Sequence, residues 1–405
     1  MISLDTIFKV FKLPINIACV ILKYPFFGGS GLKFKNDLRN SIKLTVVRFV
    51  LSLSLKDSVY VAKKSTQQVI NGLKPAYPRL TNLNNYGKSY DKLNVWLVEA
   101  ENRSKTDPII IYLHGGGYRL NTNSDQVKSL LNAYYLLEEE KRKKTSVLCL
   151  DYSLACYGHL VGTQLHELAA SYKKLVSEGN TNFVLMGDSA GGNLAITFLQ
   201  YLKQENDPAL PWPRSTVLVS PWVKIVPDAY QLTPGHSFYE NEKYDMLKGS
   251  ISRGGERRKG LFGDSNYADL LKSPGNLPYN ASDWSDIPTF NNKGYSTFVI
   301  VGEHELFRDD ICEWAKYALK SQLIVPKQDS RGIFNPKLYE YKSSGNDEAY
   351  IDVVLEPWGI HISPLLFEDE VTQQLEKQPS LTLKDLDQDK FLGTAKIASF
   401  LNEVL

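Results

Sequence analysis

Two glycine-rich turns, each directly behind an apolar run, limit most strongly what this chain can fold into. Residues 187–191 have the form G-x-S-x-G, with Ser189 at the centre, and follow the apolar run 183–186. A serine in this pattern sits on a tight turn between a buried strand and a helix, with its hydroxyl exposed at the sheet edge. Glycines flank it because a Cβ would clash on so tight a turn. The pattern therefore predicts that Ser189 is a nucleophile.

The other glycine-rich turn, residues 114–117, reads His-Gly-Gly-Gly and follows the apolar run 109–113. This motif contributes backbone N–H groups to an oxyanion hole. We expect the donors to be Gly115, Gly116 and Ala190, each worth about 3–4 kcal/mol in the transition state. The remaining members of the two turns, which we expect to shape the backbone rather than to react, are His114, Gly117, Gly187, Asp188 and Gly191.

A serine hydroxyl becomes a strong nucleophile only when a histidine takes its proton and a carboxylate orients that histidine. Behind such a turn the expected order along the chain is serine, acid, histidine. His361 follows the last predicted strand, and we predict it as the base. The acid should follow strand 297–301, where both Glu303 and Glu305 lie. The pattern leaves both glutamates open, whereas Asp309 is expected to start the next helix, where its charge complements the helix dipole.

Apolar runs separated by helix-length segments predict an α/β fold, with a parallel sheet and crossover helices. The predicted strands are 92–99, 108–113, 145–150, 183–186, 215–220, 297–301 and 352–355. The predicted helices include 123–140, 164–177, 193–202 and 389–404. Residues 57–405 are predicted to form the catalytic domain, with an irregular insertion over about 224–288.

Residues 1–56 form a separate N-terminal segment with two apolar stretches. Residues 13–22 are apolar except for Asn16 and lead into Tyr-Pro-Phe-Phe at 24–27. Ten residues are too few for a relaxed transmembrane helix, but such a stretch beside aromatic residues suits a membrane interface. A second stretch places apolar residues on one helical face: Leu38, Ile42, Val46, Phe49 and Leu53. We expect the segment to seat the protein on a membrane, and the alternative is a soluble cap over the active site.

The bulk composition excludes several classes of protein. A net charge of +2 gives no strong attraction to nucleic acid, so no nucleic-acid partner is expected. The four cysteines have neither the spacing of a metal site nor that of a disulfide framework. We therefore expect no metal and no cofactor.

Several short motifs are shared with a known family: His-Gly-Gly-Gly at 114–117, Asp-Tyr-Ser-Leu at 151–154, Gly-Asp-Ser-Ala-Gly-Gly-Asn at 187–193 and Ser-Pro-Trp at 220–222. With them the chain, from about Asn94 onward, resembles the hormone-sensitive-lipase group of α/β-hydrolases. Within that group it is most similar to the fungal steryl deacetylase and arylacetamide deacetylase branch. The loop after Asp151 departs from the family, because it lacks the usual Arg-Leu-Ala-Pro-Glu. The resemblance implies an α/β-hydrolase fold with a mostly parallel sheet.

The resemblance also implies a serine carboxylic-ester hydrolase, working through an acyl-enzyme. Its substrate would be a hydrophobic ester, in which a short acyl group such as acetyl is attached to an alcohol such as a sterol. In the family the acid is usually an aspartate three residues before an Arg-Asp pair. Glu305 holds that position before Arg308 and Asp309, so the resemblance assigns the acid to Glu305 and leaves Glu303 as the alternative.

Two other functions stay open at this point. One is a general carboxylesterase or lipase acting on other lipid esters, and the other is a non-catalytic ligand-binding relative that keeps the fold. The presence of His361 where the base should be favours catalysis. We expect the protein at the endoplasmic reticulum membrane, the alternatives being the cytoplasm and lipid droplets. Sequons at Asn102 and Asn280 would be open to glycosylation if the catalytic domain faced the lumen.

Overall fold

The fold is built on one mixed sheet, and in the order β1-β3-β2-β4-β5-β6-β8-β7 each strand is hydrogen-bonded to the next. The computed structural model describes residues 2–248, 255–327, 329–345 and 347–405. The strands are β1 (Asn94–Val98), β2 (Ile109–Leu113), β3 (Ser146–Leu150), β4 (Phe183–Asp188), β5 (Ser215–Val219), β6 (Ser296–Gly302), β7 (Glu340–Ser343) and β8 (Tyr350–Glu356).

Helices flank this sheet and also form the N-terminal segment. In the described ranges they are α1 (Leu4–Phe27), α2 (Leu38–Ser52), α3 (Thr66–Asn71), α4 (Ser124–Tyr135), α5 (Glu139–Lys144), α6 (Thr163–Ser177), α7 (Ala190–Glu205), α8 (Ser237–Glu240), α9 (Gly255–Phe262), α10 (Pro288–Asn291), α11 (Arg308–Ala318), α12 (Pro336–Tyr339), α13 (Ser363–Phe367), α14 (Glu370–Lys377) and α15 (Leu392–Val404).

The inner strands β3, β2, β4, β5, β6 and β8 pair in parallel, while the edge strands β1 and β7 pair antiparallel to their neighbours. Strands β2 to β6 are buried residue by residue, as expected of apolar runs covered by helices on both faces. A mostly parallel sheet flanked by helices is what the alternating pattern predicted. Because parallel strands end at the same edge, the loops after β2, β4, β6 and β8 meet there.

Two details differ from the sequence predictions. The predicted helix 123–140 is two helices, since α4 ends at Tyr135 and the chain then turns to bury both Leu136 and Leu137. Strand β7 was not predicted, because it is an edge strand with the sequence Glu-Tyr-Lys-Ser and has no apolar run. Between β5 and β6, the described part of the predicted insertion contains short helices and turns but no strand.

The N-terminal segment packs against the catalytic domain through α2. The predicted apolar face of α2 is wrong at Leu53, which lies beyond the helix with extended backbone. It also left out Leu44, the buried apolar residue of α2. Buried Arg119 joins the two regions, because its guanidinium donates to the carbonyl oxygens of Leu51 and Leu53. Among the helices in the described ranges, none combines the length and the apolar character that crossing a bilayer requires.

Candidate active site

The turn at Ser189 joins β4 directly to α7, as the motif predicted. Ser189 has φ 51° and ψ −114°, a conformation that L-residues rarely adopt outside such turns. The glycines make the turn possible, because a Cβ on Gly191 would overlap the carbonyl oxygen of Leu113 at the end of β2. A Cβ on Gly187 would likewise overlap the backbone of Gly191. The turn therefore presents the Ser189 hydroxyl at the carboxyl edge of the sheet.

The structure brings Ser189, His361 and Glu305 together, although they are far apart in sequence. Ser189 Oγ lies 2.8 Å from His361 Nε2, and His361 Nδ1 lies 3.5 Å from Glu305 Oε1. The other carboxylate oxygen of Glu305 accepts hydrogen bonds from Ser220 Oγ at 2.6 Å and from the N–H of Gly302 at 2.7 Å. All three reacting side chains are buried, so their interactions act in a medium less polar than water.

Glu303, the alternative acid, points away from His361. Its carboxylate accepts hydrogen bonds from the N–H groups of Ser330 at 3.0 Å and Trp358 at 2.8 Å. It therefore supports the loop that leads to His361 rather than the imidazole ring. His304 also lies outside the site, with its ring stacked on Tyr244 at 4.5 Å between centroids.

The predicted oxyanion donors need one correction, at Gly115. Its N–H donates to Asp188 Oδ1 at 3.0 Å and is not available to a substrate. Among the described residues, the N–H groups of Gly116 and Gly117 have no hydrogen-bond acceptor, and the N–H of Ala190 has none outside helix α7. Gly116 and Gly117 have φ of 118° and 62°, left-handed values that suit glycine. The residues available as donors are thus Gly116, Gly117 and Ala190.

Asp188 joins the two turns, and His114 contacts its own turn, with Nδ1 2.7 Å from the carbonyl oxygen of Gly115. Asp188 Oδ1 accepts from Tyr112 Oη at 2.6 Å as well as from Gly115, and burial raises the pKa of its carboxyl. His114 stacks on Tyr152 at 4.0 Å, and burial lowers its pKa to about 4, so the ring is neutral at pH 7. Both side chains thus fix backbone shape, as their positions in the motifs predicted.

A cavity of about 300 Å³ opens onto Ser189 and His361. Trp222 and Phe307 form a stacked pair on one side, with ring centroids 5.8 Å apart. The cavity's other apolar lining residues are Val46, Val47, Val50 and Leu51 of α2, Val61, and Leu120, Met246, Leu247, Ile362 and Leu366. The N-terminal segment therefore forms part of the site, as expected for the alternative in which residues 1–56 are a cap over it.

Sequence reasoning also missed Asp245, which lies in the insertion. Its carboxylate is fully buried and accepts the N–H of His361 at 3.1 Å and that of Leu306 at 2.7 Å. A single aspartate in an irregular stretch gives no sequence signal. Ser220, which contacts Glu305, was named only as part of a shared motif.

Comparisons with known proteins agree with this geometry. Residues 58–384 match the profile of a family described as steryl acetyl hydrolase. The mug81 protein of Schizosaccharomyces pombe, whose assignment as a steryl acetyl hydrolase is provisional, is 28% identical over 87% of this chain and 95% of its own. Steryl acetyl hydrolase 1 of Saccharomyces cerevisiae is 29% identical over 35% of this chain and 30% of its own.

Solved structures show the same fold. An esterase of the bacterial hormone-sensitive lipase family matches with a TM-score of 0.50 and 19% identity, covering 89% of this chain and 97% of its own. A thermostable esterase from Pseudomonas putida matches with a TM-score of 0.53 and 15% identity, covering 88% and 92%. At such identities the likeness concerns the fold alone.

The placement of the two glutamates generates the first prediction. Glu305→Gln should lower kcat on a p-nitrophenyl ester by about a hundredfold or more, because an amide cannot stabilise the imidazolium as a carboxylate does. Glu303→Gln is the matched control and should stay within a few fold of wild type. Steady-state kinetics on both purified variants decide, and a larger loss in the control would move the acid to Glu303.

Proposed function

The chain belongs to the steryl acetyl hydrolase family, and on that premise we propose that it hydrolyses steryl acetates with Ser189 as the nucleophile. The observation that carries the proposal is the 2.8 Å contact between Ser189 Oγ and His361 Nε2 at the floor of a largely apolar cavity. The resemblance found in the sequence is thereby confirmed at the level of the family. The chain is a serine carboxylic-ester hydrolase, and the steryl acetate is the specific part of the proposal.

In the first half of the reaction, Ser189 Oγ attacks the acetyl carbonyl carbon while His361 Nε2 takes the hydroxyl proton. The carbonyl oxygen becomes an oxyanion, for which the N–H groups of Gly116, Gly117 and Ala190 are the donors. Glu305 stabilises the imidazolium. Collapse of the tetrahedral intermediate breaks the ester C–O bond, and His361 returns the proton to the departing sterol oxygen.

The second half releases the acetyl group from Ser189. His361 removes a proton from water, which attacks the acyl-enzyme carbonyl through the same oxyanion geometry. Acetate then leaves, and Ser189 recovers its proton from His361.

The cavity supports a small acyl group beside a bulky apolar alcohol. Its volume of about 300 Å³ is at the lower end for ligand pockets, and two long chains would not fit inside it together. Trp222 and Phe307 lie near the reacting atoms, where the ring of Phe307 meets the His361 ring edge to face at 4.9 Å. The valines of α2 offer an apolar wall to the alcohol.

The nucleophile is tested by Ser189→Ala. Hydrolysis should fall by roughly a thousandfold or more, because the variant keeps the oxyanion donors but loses the attacking oxygen. Circular dichroism should show an unchanged fold, and a fluorophosphonate probe should label wild type but not the variant. Wild type that neither reacts with the probe nor hydrolyses any ester would instead indicate a non-catalytic ligand-binding relative.

The substrate class is tested with cholesteryl acetate, butyrate and palmitate, each dispersed in the same detergent. We expect kcat/KM for the acetate to exceed that for the palmitate by at least roughly tenfold, because a long acyl chain competes with the sterol for one cavity. Matched p-nitrophenyl esters are the control for acyl length without the sterol. Faster turnover of palmitate esters would favour a general lipase.

We further propose that α1 seats the enzyme on a membrane. Eight apolar side chains of α1 are each more than half exposed. Val10 and Phe27 stand apart, and the other six form one set: Leu4, Phe8, Phe11, Ile15, Leu22 and Phe26. Their spacings of three, four or seven residues place them along one side of the helix. Lys9, Lys12 and Lys23 follow one edge of this stripe, as in helices that lie at a lipid surface. Because α1 packs on α2, and α2 lines the cavity, a lipid-soluble ester could reach Ser189 from the bilayer.

Membrane seating is tested by replacing Phe8, Phe11, Leu22 and Phe26 with serine. Full-length protein should float with phosphatidylcholine vesicles that contain anionic lipid, and the variant should not, because the stripe supplies the buried apolar area. The matched control replaces apolar residues exposed elsewhere, Ile324, Ile333 and Leu338, and should float normally. Wild type that stays in solution would leave α1 as part of a cap only.

The compartment is tested by imaging the tagged full-length chain beside markers. We propose the endoplasmic reticulum membrane, because a lipid-soluble ester and an interfacial helix both suit a bilayer. Signal in the cytoplasm or on lipid droplets would contradict this compartment without affecting the chemistry at Ser189.

A further inference from the structure

Asp245 lies between the two loops that carry the acid and the base. It follows α8 in the chain, within the long connection from β5 to β6, and its side chain is completely buried. One carboxylate oxygen accepts the N–H of His361 at 3.1 Å. The other accepts the N–H of Leu306, the residue after Glu305, at 2.7 Å. A single carboxylate thus links the backbone beside Glu305 to the backbone of His361.

Other contacts fix Asp245 in place from two directions. Its carbonyl oxygen accepts hydrogen bonds from Arg48 of α2, from Nε at 3.0 Å and from Nη2 at 2.8 Å. Its carboxylate also accepts the N–H of Met246 at 2.6 Å. One turn earlier in the chain, Asn241 Nδ2 donates to the carbonyl oxygen of Glu305 at 2.9 Å. The insertion therefore holds the acid loop by two side chains, and α2 holds the insertion.

The bridge that Asp245 makes between the two loops matters because the distance between Glu305 and His361 is long. At 3.5 Å it exceeds the usual distance of an N–H···O hydrogen bond, so a small shift of either loop would break it. The two loops follow different strands, β6 and β8, whose pairing ends at Gly302 and Glu356. Beyond that pairing, the loops are joined directly by the His304 N–H on the Gly359 carbonyl oxygen at 2.7 Å and by the Trp358 N–H on the Glu303 carboxylate at 2.8 Å. The carboxylate of Asp245 adds the link that reaches His361 itself.

The charge of Asp245 also faces the imidazole. Burial raises the pKa of the Asp245 carboxyl to about 6. The negative charge of Glu305 adds to this rise and the positive charge of His361 opposes it, so the carboxyl is ionised at pH 7. Other charged groups near this pair are Glu305 and Asp188 on the His361 side and Arg48 and Lys248 on the Asp245 side. An ionised Asp245 favours the cation that His361 becomes during attack.

We propose that Asp245 is a positioning residue of the hydrolysis reaction, holding the acid loop and the base loop at the spacing that lets His361 meet both Ser189 and Glu305. This inference rests on the proposed function, because it takes those three residues as the reacting groups. It assigns a positioning role in catalysis to the insertion between β5 and β6, in addition to covering the site.

The test is Asp245→Asn, which keeps the shape but turns an N–H₂ group toward at least one of the three backbone donors, the N–H groups of Met246, Leu306 and His361. We expect kcat on p-nitrophenyl acetate to fall by roughly tenfold or more, with KM within about twofold. The loss should remain when kcat is expressed per active site titrated to completion with a fluorophosphonate probe, because the variant keeps Ser189 but loses the spacing of the two loops. Asp269→Asn is the matched control: this aspartate lies in the same insertion and caps its own turn at Leu271.

A merely structural role would reduce only the active fraction, so full kcat per titrated active site in folded Asp245→Asn overturns the proposal. Ser189→Ala, assayed in parallel, separates the two proposals, because activity retained there refutes the nucleophile itself. If Asp245→Asn does not fold, the proposal is tested instead by amide hydrogen exchange on the wild-type protein. Peptides containing the amides of Leu306 and His361 should then exchange at least roughly tenfold more slowly than unprotected peptides, and free exchange at either overturns the proposal.

Discussion

The active site depends on the close approach of two backbone turns at the carboxyl ends of β2 and β4. Gly191 packs so tightly on the carbonyl of Leu113 that any side chain there would force the strands apart. The same approach brings Asp188 to the N–H of Gly115. The strained conformation of Ser189 persists because the surrounding sheet and helix α7 over-determine it. From this contact follow both the exposed hydroxyl and the position of the oxyanion donors.

Around that contact the protein buries three carboxylates, and it stabilises each by hydrogen bonds from neutral donors. Glu305 is held by Ser220 and Gly302, Asp188 by Tyr112 and Gly115, and Asp245 by backbone N–H groups. Buried charges need such partners, since leaving them unpaired costs several kcal/mol. Because these donors carry no positive charge, they do not neutralise the three carboxylates, whose negative potential acts on His361. The site therefore favours an imidazolium at the moment when Ser189 loses its proton.

The N-terminal segment forms the cap that the sequence presented as one alternative, and the proposed membrane seat is compatible with that cap. Helix α2 lines the cavity and, through Arg48, holds Asp245, so it is a structural part of the active site. Helix α1 leaves an apolar stripe exposed on its outer side, which a water-soluble cap would not need. A cap and a membrane seat are compatible, because they use different faces of the two-helix unit.

Local pattern alone determined the turn at Ser189, the inner strands and the position of His361, because steric limits on glycine turns and burial of apolar runs act over a few residues. It left Glu303 and Glu305 equivalent, since both follow β6. The packing of the loops beyond the paired strands decides, because Glu305 lies 3.5 Å from His361 whereas Glu303 binds the backbone of Ser330 and Trp358. The bond from Gly115 to Asp188 and the placement of Asp245 join segments far apart in the chain. Contacts of this kind depend on how loops pack after the sheet has formed, and no spacing in the sequence encodes them.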